Sequence, residues 1–293
     1  MHYLKTILLT SLLSFSLANQ AQEVDYKSQD FSIKRANVVN PSEVHNDFLV
    51  QLINHEAPKP DGNTMKAYLR HQKELSNTQY PRKQVVEVSK KQTADPVVRG
   101  IDYGLERISP NGNTYRLYGG LPNDNALAVS NGGVVLTAMN SFVHAYDVEQ
   151  DSVLFNYGSL SLKGMAGYPS SSSDHFFDPK LIYDEQTDRF VLVFLKNNSP
   201  SSNTIVIAFS SSKSVNDEWY IYELPGNPLN NNRWTDFPTV SLTGNELFIS
   251  GNLIVPDEPW QTGFDGSVIW QIDKTDGYSN ENELDTKLHS DIK

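Results

Sequence analysis

No cysteine occurs among the 293 residues. Disulfides are excluded, as is a lipid-modified cysteine at an export cleavage point, so an exported form of this chain must hold together by burial alone. Secreted eukaryotic domains of this size usually carry some cysteine, and its absence points instead to a bacterial periplasmic or extracellular protein. Long hydrophobic runs are also lacking. The longest, Thr6–Ala18, has 13 residues, short of the roughly 20 that a spanning helix needs. It follows Lys5 and precedes the small residues of Ala18-Asn19-Gln20-Ala21. Those three parts predict a cleaved secretory signal over residues 1–21, a secreted product and no transmembrane segment.

Basic charge is scarce as well. Lysine and arginine total 24 against 35 acidic residues, giving a net charge of −11 and a pI near 5.1. That balance argues against nucleic acid or an anionic membrane as partner and leaves cations, neutral glycans and proteins. Catalytic signatures are missing too: the chain has no His-Glu-x-x-His helix, no Gly-x-Ser-x-Gly elbow and no phosphate loop. An enzyme is not the favoured expectation.

What is present is repetition. Asp124-Asn125-Ala126-Leu127-Ala128-Val129, Asp178-Pro179-Lys180-Leu181-Ile182-Tyr183 and Asp236-Phe237-Pro238-Thr239-Val240 each open a β-like run, then a polar turn, then a second β-like run. The aspartates are 54 and 58 residues apart. A period of that length filled with short strands marks propeller blades. The expected fold is all-β, a β-propeller of four-stranded antiparallel blades, with repeats near 119–160, 174–225 and 234–275 inside a domain spanning 100–293. In the first repeat Phe142–Tyr146 and Ser152–Tyr157 continue the strands; in the second, Thr204–Phe209 and Trp219–Leu224; in the third, only Ser267–Ile272. The third repeat thus reads as lacking its fourth strand. Either Thr114–Tyr118 fills the gap, or the chain is a piece of a longer propeller, with about three blades of an incomplete ring present. Residues 22–99 read as a polar extension and linker. Within it Ser42 caps a helix bearing Phe48, Leu49, Leu52 and Ile53, and a second helix carries Met65, Tyr68 and Leu69.

Innermost strands all start on one face, so Asp124, Asp178 and Asp236 are expected together at the channel mouth. There they either hold a hard cation such as calcium or accept hydrogen bonds from nearby backbone amides, with Pro179 and Pro238 stiffening the entry. Loops into each first strand and between second and third strands share that face, and they are long: 159–173, 226–233, 196–203 and 254–266. They bring His175, Phe176, Trp234 and Trp260 alongside the carboxylates. Aromatic planes beside acids and amides suit carbohydrate.

Two stretches carry a family likeness. Ser212-Lys213-Ser214-Val215-Asn216-Asp217-Glu218-Trp219 resembles the Asp-box turn of sialidase-like propellers, Ser-x-Asp-x-Gly-x-x-Trp, with Ser214 in place of the aspartate and Asn216 in place of the glycine. Phe177-Asp178-Pro179-Lys180-Leu181-Ile182-Tyr183-Asp184 and Trp234-Thr235-Asp236-Phe237-Pro238 are similar to blade starts of secreted bacterial β-propeller proteins. The likeness implies fold and export. In sialidases the box is a structural turn remote from the active site, and catalysis there needs an arginine cluster. The β region has only Arg107, Arg116, Arg189 and Arg233. The expectation is a binding or scaffolding module for glycan or protein, requiring no cofactor apart from possible calcium; the alternative is a polysaccharide-acting hydrolase or lyase.

Overall fold

The strand that joins this molecule together lies outside all three repeats. The structure is a computed structural model and describes residues 26–44, 70–71, 73–74, 106–108, 114–116, 124–140, 142–155, 159–258 and 260–292. Strand β1 (Lys27–Val39) is the first element; Ile33 and Val39 are buried while Ser32, Lys34, Ala36 and Val38 stay exposed. That period of two is the signature of a strand with one face on a core. A hairpin, β2 (Glu106–Ile108) with β3 (Thr114–Arg116), follows.

The first repeat forms a five-stranded sheet from β4 (Ala126–Val129), β5 (Val134–Met139), β6 (Phe142–Asp147), β7 (Ser152–Val153) and β8 (Ser159–Ser161), the last also pairing with β6. The second runs as an antiparallel meander through β9 (Phe176–Asp184), β10 (Arg189–Lys196), β11 (Thr204–Ser210) and β12 (Trp219–Pro225). The third does the same through β13 (Trp234–Leu242), β14 (Glu246–Ile254), β15 (Phe264–Asp273) and β16 (Glu283–Ser290). β1 lies between β12 and β16, pairing antiparallel with both. The result is one nine-stranded antiparallel sheet, β13-β14-β15-β16-β1-β12-β11-β10-β9. Its end strands β13 and β9 come together, so it is nearly closed and barrel-like.

Residues on β10 and β11 are buried on both faces. Phe190, Leu192, Phe194, Val206 and Ala208 pack with Leu136, Ala138, Val143 and Ala145 of the first repeat. The alternate set, Val191, Val193, Leu195, Ile205, Ile207 and Phe209, packs with Leu247, Ile249, Val268, Trp270 and Ile272 of the third. Two cores therefore share the second repeat as their common wall, and strict alternation decides which residue serves which core.

Four sequence expectations are corrected. The third repeat has its fourth strand, Glu283–Ser290, whose Leu284, Thr286, Leu288 and Ser290 are buried. Thr114–Tyr118 does not fill that place; Thr114–Arg116 pairs with β2. The fourth strand of the first repeat is only Ser152–Val153, followed by β8. The N-terminal extension opens as a strand, and no N-terminal helix of the expected extent is seen among the described residues. Pro41–Glu43 is a single 3-10 turn capped by Asn40, whose side chain accepts the Ser42 N–H. The first expected helix beyond Val44 and most of the second lie outside the described residues, as does the signal segment 1–21; residues 70–71 and 73–74 have helical backbone. Among the described residues no helix is long and apolar enough to cross a membrane.

Candidate functional site

The opening aspartates owe their placement to irregular backbone. In β9 the two residues Asp178 and Pro179 stand opposite the single Phe194, and in β13 Phe237 and Pro238 stand opposite the single Gly251. These are β-bulges, which bend a strand and re-aim its side chains. The first bulge residue is left-handed in both, with φ of 52° at Asp178 and 48° at Phe237, and Asp124 ahead of β4 has φ of 41°. Structurally, then, Phe237 is the counterpart of Asp178, and Asp236 comes one residue early. A Cβ on Gly251 would lie 2.3 Å from Thr235 Cγ2, so the inner side of that bulge is closed to larger residues.

Despite the offset the three carboxylates sense one another. Burial pushes the Asp178 carboxyl up to about 7, and the charges of Asp236 and Asp124 add to the shift. Asp236 is raised chiefly by burial, with a further push from Asp124. The Phe237 N–H donates to both Asp178 and Asp236. Asn140 Nδ2 donates to Asp124 (2.9 Å), while its Oδ1 accepts the Asp178 N–H (2.7 Å). The three carboxylates are near enough to feel one another's charge, and the bonds of Asn140 tie one repeat to the next. A calcium site would need ligating geometry as well. Among the described residues no group of three or more His, Asp or Glu side chains is arranged to hold a metal.

The expected ligand platform is only partly assembled. His175 and Phe177 stack, with ring centroids 5.0 Å apart at 13°. Trp234 is half-buried at the start of β13, opposite Ile254. Phe176 is buried at 4% exposure and packs on Tyr168 and Phe194, because strand alternation turns it into the core; it cannot serve as a ligand platform. Trp260 opens the short helix Trp260–Gly263. Lys180 lies over the exposed Phe237 ring at 4.8 Å.

Two of the four long loops grouped by the sequence on one face, those after β10 and after β12, come together around a cleft of about 530 Å³. Asp174 before β9, residues 196–204 between β10 and β11, and residues 225–230 after β12 form its walls. Asn203 is the keystone: its Nδ2 donates to the Asn197 carbonyl (2.7 Å) and its Oδ1 accepts the Thr235 N–H (2.9 Å). Gly226 fits because any Cβ there would stand 1.8 Å from Asn203 Oδ1 and 2.6 Å from its carbonyl. Below the cleft lies a polar network absent from the sequence expectations. Lys196, 9% exposed, donates to Glu223 and Tyr168; Tyr168 donates to Glu223 (2.6 Å), as does Thr204 (3.1 Å). Burial pulls the Lys196 pKa down, but bonds to Glu223 and Tyr168 outweigh it and leave the amine raised. Burial, then the bond to Glu223, raises the Tyr168 hydroxyl, so it stays protonated and is no activated nucleophile. Bonds from Asn197 and Ser172 hold the Asp174 carboxyl below its ordinary value. The one available sequence signal was a charged residue in each of two apolar strands, Lys196 closing β10 after Phe190–Leu195 and Glu223 within β12 between Tyr222 and Leu224.

The far ends of the strands are built differently. Buried Lys274 pairs with buried Asp184 at 2.6 Å, and the Tyr278 hydroxyl also donates to Asp184 (3.2 Å). Between β11 and β12, Ser212 Oγ donates to Asp217 (2.6 Å), and buried Trp219 donates Nε1–H to the Val215 carbonyl (3.0 Å). No family model matches the chain, and neither a curated protein nor a solved structure matches it.

Proposed function

We propose that this chain is an exported module of β-propeller type that binds an extracellular glycan or protein on the face carrying Asp124, Asp178 and Asp236. Two four-stranded meanders and a shorter neighbour, stacked through shared cores with β4, β9 and β13 adjacent, support the blade-like reading. In that reading β1 laces two outer blade edges together. The Ser212–Trp219 turn joins β11 to β12 at the strand ends away from the cleft, which supports the sialidase-like likeness. Export rests on the signal-like pattern over Met1–Ala21.

The observation that carries binding is the cleft between loops 196–204 and 225–230, next to the entry of β9. Loops held on a rigid sheet are where such scaffolds recognise ligands. Glycan and extracellular-protein arrays probed with the full chain test this. Reproducible binding that weakens in Trp234→Ala supports it; no binding to either class defeats it.

A polysaccharide hydrolase or lyase is the second reading, favoured by one feature. A carboxyl lifted to about 7 beside two other acids resembles the division of labour between general acid and base in glycoside cleavage. Reducing-end release from polysaccharides, abolished by Asp178→Asn, would establish it. Unchanged release in that variant would remove Asp178 from the chemistry.

A further inference from the structure

We infer that the cleft between loops 196–204 and 225–230 is a subsite for an uncharged saccharide, recognised through carboxamides and hydroxyls rather than through charge. This rests on the glycan branch of the function proposed above and narrows it to one place and one ligand class.

Charge is the first consideration. The cation at the cleft, Lys196, is already matched by Glu223, and Asp174 is held by Asn197 (2.8 Å) and Ser172 (2.8 Å). An anionic ligand would therefore meet no unmatched cation among the described lining residues, and it would face Asp174 on a chain of net charge −11. A cationic ligand would have to compete with amide and hydroxyl donors for Asp174. Uncharged ligands avoid both costs.

The lining chemistry is the second. Ser201, Ser202 and Asn230 offer groups that both donate and accept, and Asn227 adds the donors of its Nδ2 while its oxygen holds the Asn231 N–H. Vicinal sugar hydroxyls need such pairing, and an apolar ligand would strand those groups without water. Pro200 and Pro225 supply the apolar patches on which a sugar C–H face rests. A volume of about 530 Å³ falls within the usual range for small-ligand sites.

Rigidity is the third. Asn197, left-handed at φ 57°, accepts the His175 N–H on its side chain (3.0 Å), and Asn203 and Gly226 lock the opposite wall. A preformed site spends little of its binding energy on ordering.

The test uses the full chain and a defined panel: neutral gluco-, xylo-, manno- and malto-oligosaccharides, with oligogalacturonate as the acidic counterpart, read by saturation-transfer NMR and calorimetry. Ser201→Trp fills the cleft from an exposed loop position, and Asn230→Gly removes a carboxamide while keeping the left-handed backbone (φ 50°). Val153→Ala, an exposed apolar position in β7 of the first repeat, away from the lining and from the three aspartates, is the control. The inference expects a neutral oligosaccharide to bind, with affinity falling about tenfold or more in Ser201→Trp, falling also in Asn230→Gly, and holding in Val153→Ala at an unchanged melting temperature. Neutral-glycan binding that ignores both cleft variants keeps the glycan reading and overturns the cleft assignment. Tighter binding of oligogalacturonate overturns the ligand class. Failure of every saccharide to bind removes the glycan reading and this inference with it.

Discussion

The backbone N–H of Asp178 donates to the side-chain oxygen of Asn140 at 2.7 Å, across the joint between the first and second repeats. Asn140 is 4% exposed, and its Nδ2 donates to Asp124 at 2.9 Å. One carboxamide thus satisfies a bulge amide in one repeat and an opening carboxylate in the other. Asn140→Ala removes the acceptor from a backbone group in a part-buried joint, which costs about 1–3 kcal/mol. Asn140→Asp places a further negative charge among three acids and destabilises more at pH 8 than at pH 4. Urea unfolding of both variants at the two pH values measures this; equal losses at both would show that the added charge is solvated.

Asp178 makes the wild-type chain pH-dependent in an unusual direction. Its folded carboxyl, pushed up to about 7, retains a proton that the unfolded chain releases near pH 4. Stability from this group is therefore greatest below about pH 4 and declines as pH rises towards about 7, by roughly 4 kcal/mol at most. Asp178→Asn keeps an acceptor for the Phe237 N–H and removes the charge. It is expected to stabilise the chain by about 1–3 kcal/mol at pH 8 and to leave it nearly unchanged at pH 4. A variant as unstable as wild type at pH 8 would contradict the burial of that carboxylate.

Much of the strand order was legible because it depends on local alternation and on turn residues. Thr204–Phe209, Trp219–Leu224 and the paired runs after each aspartate fall where the pattern puts them. Of the four long loops that strand order puts on one face, 196–203 and 226–233 contribute to the cleft, while 159–173 and 254–266 contribute none of its lining. Other features escaped. β16 and β1 alternate as cleanly as any strand, but Lys, Asp, Glu and Gln on their exposed faces lower their mean hydropathy and disguise the buried Leu284, Leu288 and Ile33. The pairing of β1 with β12 and β16 spans the length of the chain and has no local trace. The shared motif of aspartates concealed a one-residue shift, because a bulge preserves a sequence phrase while moving which residue turns left-handed. Phe176 and Phe177 are identical as letters, and only strand parity buries the first in the core shared with the first repeat and lays the second, half-buried, against the other core.

β1 has a clear energetic test. Ile33 is 8% exposed and packs into the core shared by the second and third repeats, whereas Lys34 faces solvent. Ile33→Ala is expected to cost about 2–4 kcal/mol, and Lys34→Ala to stay within about 0.5 kcal/mol of wild type. Guanidinium unfolding of the two variants gives the comparison. Equal, negligible effects would mean that β1 is not part of the cooperative fold.

Gly226 links the fold to the cleft. Any side chain there meets Asn203 Oδ1, which is already engaged by the Thr235 N–H. Gly226→Ala must displace the Asn203 side chain, freeing a buried amide at the start of β13, and a loss of about 1–3 kcal/mol follows. Amide exchange supplies the specific readout: Thr235 should lose protection well before the β10–β11 core does. Unaltered protection at Thr235 would show that the wall of the cleft yields without cost.

The Lys274–Asp184 pair joins the second and third repeats at the strand ends opposite the cleft. Burial works against the Asp184 carboxylate, but the bonds from Lys274 and Thr187, the charge of Lys274 and the Gln186 N–H together more than offset it and hold the group below its ordinary value. A lowered carboxylate stabilises the fold above its unfolded pKa, and that contribution disappears as pH falls through the folded one. Lys274→Met keeps the aliphatic stem and leaves Asp184 buried without its cation, which is expected to cost about 3–5 kcal/mol at pH 7. Adding Asp184→Asn should restore much of that loss, because the uncompensated charge goes while the Tyr278 hydroxyl still finds an acceptor. A double-mutant cycle by chemical unfolding at pH 7 separates the pair from its surroundings. Strict additivity of the two substitutions would mean that the residues act independently and that this ion pair does not hold the two repeats together.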